Sequence, residues 1–236
     1  MAAYLRRGLA AGLLAGILAG LFAFVFGEPA LDRAVELEGA AGGQADAELV
    51  GRAAQKAGLF LVTGLAGSFV GGLFALAFAG LRGRLSSGSD WTRSLSLAAG
   101  IFAGAVLIPF LKYPANPPTV GDPGTVAGRT GAYLAMVALS LLAVLAAWGV
   151  ARVLRRRGVS APVRHVSVGV VLAVSVLALF AVLPDGADPG GFPAGLLWDF
   201  RLSSLGTLLV FWTGLGALFG ALSERANRRE ALTGRL

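Results

Sequence analysis

The stretch GLAAGLLAGILAGLFAFVFGEP, residues 8–29, decides what kind of protein this is. From Gly8 to Phe26 it holds no ionisable side chain. About 20 helical residues, at ~1.5 Å rise each, cross the ~30 Å hydrocarbon core of a bilayer. Gly8, Gly12, Gly16 and Gly20 recur every fourth residue on one helix face, which Ala11, Ala15 and Ala19 widen. Small residues so spaced let helix backbones approach closely, which is how helices pack where lipid offers no hydrophobic drive. The run is longer than the roughly 7–15 residues of a signal-peptide core, and it ends in Gly-Glu-Pro rather than a small-residue cleavage site. It reads as an uncleaved first span, a twin-arginine signal at Arg6-Arg7 being the alternative.

Working outward, five more stretches of the same kind follow at 57–81, 95–111, 131–151, 166–183 and 204–222. Hydrophobic residues make up 56% of the 236 residues, and the mean hydropathy is +0.75. The expectation is an all-α, polytopic integral membrane protein: one membrane domain of six transmembrane helices. Gly67 with Gly71, Gly100 with Gly104, and Gly216 with Gly220 repeat the four-residue spacing in spans 2, 3 and 6. Spans 4 and 5 are nearly free of glycine. This predicts spans 1, 2, 3 and 6 packed through Gly/Ala seams at the centre, with 4 and 5 facing lipid. The same GxxxG faces also suit a homo-oligomer.

Charge gives the orientation. Fourteen of the 20 basic residues lie in the N-terminus, the 82–94 and 152–165 loops and the C-terminal tail. Ten of the 13 acidic residues lie in the 27–56, 112–130 and 184–203 loops. The positive-inside rule then predicts cytoplasmic termini (N-in/C-in) and three outer loops. The pI near 11.0 is therefore a topogenic signal rather than a sign of nucleic-acid binding, and anionic lipids on the cytoplasmic face are the expected partners of the arginines. The chain has no cysteine, so thiolate ligation is excluded. It has no GxxxxGK[ST] and only two lysines, Lys56 and Lys112, so it carries no ATPase of its own. Neither HExxH nor a nucleophile–base pair is present, which points away from an enzyme. With no ionisable group inside a span, any cation chemistry belongs to the loops or to another protein.

The outer loops supply the candidates. Pro29 is expected to start a short helix after span 1, with Glu28, Asp32 and Glu36 on one face. That face is either a cation-attracting acidic patch or a solvated helix in which Arg33 balances Glu36. The loop YPANPPTVGDP, 113–123, fixes φ at four prolines and leaves carbonyls beside Asn116 and Asp122, a rigid arrangement suited to a hard cation or to a cap over the bundle. The third loop offers Asp185, Asp188 and, before span 6, Asp199 with Arg201. His165 is the single histidine and sits beside Arg164 on the basic side. The candidate metal ligands are Glu28, Asp32, Asn116, Asp122 and Asp199. Oxygen donors of this kind favour Mg, Ca or Mn.

Several of these residues also carry a likeness. Span 1 followed by Gly27-Glu28-Pro29 and Asp32-Arg33-Ala34, the Tyr113-Pro114-Ala115-Asn116-Pro117-Pro118 loop with Gly121-Asp122-Pro123, Gly128-Arg129-Thr130, and Leu197-Trp198-Asp199-Phe200-Arg201-Leu202 resemble the CbtA family of probable cobalt transporter subunits. The resemblance covers nearly the whole chain. It implies an inner-membrane protein of cobalt uptake for cobalamin synthesis, with cobalt as substrate and no tightly bound cofactor. It also implies a small single-span partner, CbtB, with a histidine-rich terminus. Two functions stay open: a channel-like subunit passing a divalent cation along a Gly-packed centre past Thr63, Ser68, Ser140, Thr207 and Thr213, and a scaffold or assembly subunit with no pathway of its own.

Overall fold

A computed structural model describes residues 1–40, 51–85, 88–118, 120–186 and 188–233. The middle of the first outer loop, residues 41–50 with Asp46 and Glu48, lies outside the described residues. Helix makes up 86% of the structure, and the described residues contain no strand. Among the described residues, six helical segments are long and apolar enough to cross a membrane: Ala2–Leu37, Ala54–Leu81, Asp90–Lys112, Val126–Arg156, Ala161–Val182 and Ala194–Leu232. Each contains most or all of one predicted span and, except near residue 183, runs past it. Backbone hydrogen bonding continues where the apolar side chains stop. The chain divides into two compact units, Met1–Ala99 with Ala194–Leu236, and Gly100–Pro193.

The first unit is built on α1 (Ala2–Phe22), α2 (Glu28–Ala40), α3 (Arg52–Leu81), the start of α4 (Asp90–Phe102) and α8 (Ala194–Thr233). The glycines of α1 meet α3 backbone to backbone. A Cβ on Gly12 would lie 2.8 Å from Gly71 Cα, and one on Gly67 would lie 2.8 Å from Gly16 Cα. The expected small-residue seam is therefore present. It is also filled: no space for a methyl group remains along it, so a cation path cannot run between these two helices there. The hydroxyls of Thr63 and Thr207 likewise turn back onto their own helices, donating to Leu59 O and Ser203 O at 2.8 Å each.

The apolar centre of this unit is aromatic. Phe78, Leu215 and Phe219 are fully buried, with Phe74 and Phe78 edge-on to Phe219 at 5.4 and 5.0 Å. Edge-to-face pairs set the quadrupoles of the rings in favourable contact. Tyr4 closes the cluster, with the guanidinium groups of Arg7 and Arg82 over its ring at 5.4 and 5.7 Å. Next to them, Asp90 is buried, its side chain 1% exposed. Arg82 Nε and Arg93 Nη1 reach its Oδ1 at 3.0 and 3.2 Å, and Asn227 Nδ2 donates to Oδ2 at 2.9 Å. A carboxylate buried at that depth needs such partners. They tie the end of α3, the start of α4 and the tail of α8 together.

The second unit holds the rest of span 3, then α5 (Ile108–Lys112), α6 (Val126–Arg156) and α7 (Ala161–Val182). Span 3 divides between the two units: Ser94 and Ala98 pack on α8, with Ala98 Cβ 2.8 Å from where a Gly216 Cβ would be, and Gly104 faces Leu141 and Val144 of α6. On α6 the buried residues are Met136, Ser140, Ala143 and Ala147, one helical face. α7 buries none of its residues, as expected of a lipid-facing span.

Two π turns interrupt the α-helical spans, at Ala23–Gly27 and Ala103–Leu107, each followed two residues later by a proline. The predicted short helix starting at Pro29 is not separate. The π turn takes up the register change, with Glu28 N–H bonding Ala23 O five residues back, and the helix passes through Pro29 into α2. A proline inside an α-helix lacks the N–H and crowds the preceding turn, and a π turn relieves both.

Candidate functional site

In the first unit, α2 continues span 1 beyond its apolar part and brings Glu28 and Asp32, one turn apart, against the start of α3. Arg52 Nη2 bonds Glu28 Oε2 at 2.8 Å and also Asp32 Oδ1, while Lys56 Nζ lies 2.6 Å from Asp32 Oδ2 and 3.9 Å from Glu28 Oε2. Two carboxylates thus share two cations one helical turn apart. The Asp32 hydrogen bond is the main cause of a pKa for the Arg52 guanidinium above its ordinary value, with burial opposing it. Glu28 is mostly covered, its side chain 13% exposed. The balancing partners of Glu28 and Asp32 on the acidic face are thus Arg52 and Lys56. Spacing alone could not reveal them, because they lie 20 or more residues away.

Asp199 belongs to the same unit. It lines a cavity of about 300 Å³ with Phe22, Phe26, Pro29, Ala30, Arg33, Leu202 and Ser203. A guanidinium on the same wall disfavours a bare divalent cation there, since like charges repel.

Asn116 and Asp122 fall in the second unit. Asp122 Oδ1 accepts from Gly124 N–H at 2.8 Å, and its carbonyl accepts from the Thr125 hydroxyl at 2.7 Å, so the residue caps the turn leading into α6. Arg129 donates to the carbonyls of Val120 and Asp122 at 3.3 and 3.2 Å. The carbonyls that the proline-rich loop was expected to leave free are, at these two residues, in use. The start of the loop is pinned as well: Lys112 Nζ donates to Phe180 O at 3.0 Å, and the Tyr113 hydroxyl donates to Pro184 O at 2.5 Å. Burial, and after it the Asp185 charge, raise the Tyr113 pKa above the usual phenol value.

Of the five sequence candidates, then, the structure brings Glu28 and Asp32 together, sets Asp199 and Arg33 on one cavity wall, uses Asp122 as a cap, and has Asn116 in the second unit with Asp122. No group of three or more His, Asp or Glu side chains able to hold a metal occurs among the described residues. No curated protein and no solved structure matches the chain. A family model does, over residues 1–224, and its description is "Probable cobalt transporter subunit (CbtA)". The chain is a multi-pass membrane protein of the CbtA family.

Proposed function

We propose that this chain is the membrane-spanning subunit of a cobalt uptake system in the cytoplasmic membrane, and that it captures the cation at Glu28 and Asp32. The observation that carries the reading is the family match over 1–224. The carboxylate pair at the end of span 1 supports the choice of site. Together Glu28 and Asp32 carry two negative charges, and Arg52 and Lys56 hold them preformed. An arriving divalent cation replaces those counter-ions, supplying the same charge in one centre.

Two carboxylates make an incomplete shell for cobalt, whose affinity for imidazole exceeds that for carboxylate. A small single-span partner with a histidine-rich end would supply the missing donors, in keeping with a subunit rather than a whole transporter. The charge bias supports a topology with α2 outside and both termini in the cytoplasm. Because the α1–α3 seam is close-packed, passage uses another route through the assembly. Asn116 and Asp122 act as the rigid rim of the outer surface. No catalytic step is assigned to the chain.

The test is uptake of radiolabelled cobalt by cells expressing the chain with its partner, against cells with the partner alone and cells carrying Glu28→Gln with Asp32→Asn. Uptake above the partner-only control, lost in the double variant at normal membrane abundance, is the expected result. Uptake equal to that control would overturn the transport reading in favour of a scaffold.

A further inference from the structure

The cavity between α2 and α8 has a composition that the cation reading does not use. Arg33 and Asp199 both line it, yet neither makes an ion pair or hydrogen bond with a described residue. The remaining wall is mostly apolar: Phe22, Phe26, Pro29, Ala30 and Leu202. Phe26 and Leu202 are each 59% exposed, far more than a sealed core would leave. Along the chain the cavity sits where span 1 ends at residue 26 and where span 6 begins near 204, the level of the lipid headgroups. Trp198, 54% exposed on the same α8 turn, is a side chain typical of that level.

A cation and an anion on the lining of one cleft, exposed and not paired with each other, beside an exposed apolar wall match a zwitterionic amphiphile. We propose that this cavity binds a phosphatidylethanolamine molecule. Arg33 takes the phosphate, in the charge-assisted geometry that suits guanidinium. Asp199 accepts hydrogen bonds from the primary ammonium, with Ser203 Oγ as a further polar contact at the cleft. The acyl chains lie over Phe26 and Leu202. The two charges make a specific demand. Phosphatidylcholine presents the same phosphate, but its quaternary ammonium has no N–H to give Asp199. Phosphatidylglycerol has no cation at all. An annular lipid held only by the apolar wall would show no such preference.

The experiment is native mass spectrometry of the full-length protein, extracted in mild detergent and exchanged into equal mixtures of the three lipids matched in acyl chain. The expected result is retention of phosphatidylethanolamine over phosphatidylcholine by roughly fivefold, the ratio that about one ordinary net hydrogen bond supplies. Asp199→Asn is expected to bring the two to parity while keeping a bound phospholipid, and Arg33→Gln to lower retention of all three. Equal retention of the three lipids by the unaltered protein would overturn the proposal without any variant. So would unchanged preference in Asp199→Asn, with helical circular dichroism reporting that the variant is folded.

Discussion

The Ser140 hydroxyl on α6 donates to the carbonyl of Gly104 in the π turn of span 3. That carbonyl is the one the backbone cannot serve. In the turn, Ile108 N–H bonds Ala103 O, five residues back, and the next donor in that register would be residue 109, a proline. Ser140 therefore replaces a missing backbone donor, with Met136 O of its own helix at 2.6 Å as the alternative acceptor. Ser140→Ala should destabilise the protein by about 1 kcal/mol, the scale of an interhelical hydrogen bond in a membrane protein. Thermal loss of helical circular dichroism in detergent measures it. Ser140→Thr, which keeps the hydroxyl, should lose less than Ser140→Ala if it adopts the same rotamer.

The α1–α3 seam gives a contrast of positions. Gly12→Ala places a methyl against the Gly67 carbonyl and Gly71 Cα, both backbone, which cannot move aside as a side chain can. Its cost should be about 1–3 kcal/mol, the range for overpacking. Gly149→Ala, in α6 with nothing within 4 Å of the added carbon, should be neutral or stabilising by up to about 1 kcal/mol through helix propensity. The same thermal assay on both variants decides whether the seam is packing or merely glycine-rich.

Asp90 should be the most sensitive charged residue on the side of the termini. Removing it takes the shared carboxylate from Arg82 and Arg93 and the Asp90 acceptor from Asn227 on the tail of α8. Asp90→Ala is expected to cost about 1.5–3 kcal/mol, the scale of hydrogen bonds to a charged group, because the arginines left behind are partly exposed. Limited proteolysis should then cut the 224–230 segment faster than in the unaltered protein.

Tyr113 predicts an alkaline limit. Its folded pKa is raised, chiefly by burial, so the neutral phenol is favoured in the folded protein. Its contribution to stability is full below the unfolded tyrosine pKa and is lost as pH rises through the raised folded value. Phenolate absorbance should show a component titrating above the usual phenol value, and that component should be missing in Tyr113→Phe. The contact between Tyr113 and the Pro184 carbonyl should weaken over the same interval.

Six spans could be read from sequence because membrane helices declare themselves by apolar length, and the glycine seam because a four-residue spacing is local. What escaped was set by distance in the chain or by backbone detail. Arg52 and Lys56 meet Glu28 and Asp32 across 20 to 28 residues, and Asn227 meets Asp90 across 137. No periodicity encodes such pairs. The π turns left a trace that could have been used: Ala23 to Pro29 and Ala103 to Pro109 have the same spacing, each proline lying at the end of an apolar span. Among the candidate ligands, residue type was legible but employment was not. Asp122 and Asp199 look alike in sequence, yet one caps a turn and the other shares a cavity with an arginine.

The central claim is that Glu28 and Asp32 receive the cation in exchange for Arg52 and Lys56. The most direct measurement is the cobalt concentration that half-saturates uptake in Lys56→Gln and in the Glu28→Gln/Asp32→Asn double variant, each expressed with the partner at matched membrane abundance. Exchange predicts shifts of opposite sign. Freeing the carboxylates of Lys56 should lower the half-saturating concentration by roughly threefold, and removing both carboxylates should raise it by at least about tenfold, a change of ~1.4 kcal/mol. Half-saturation unchanged in both variants would contradict the account.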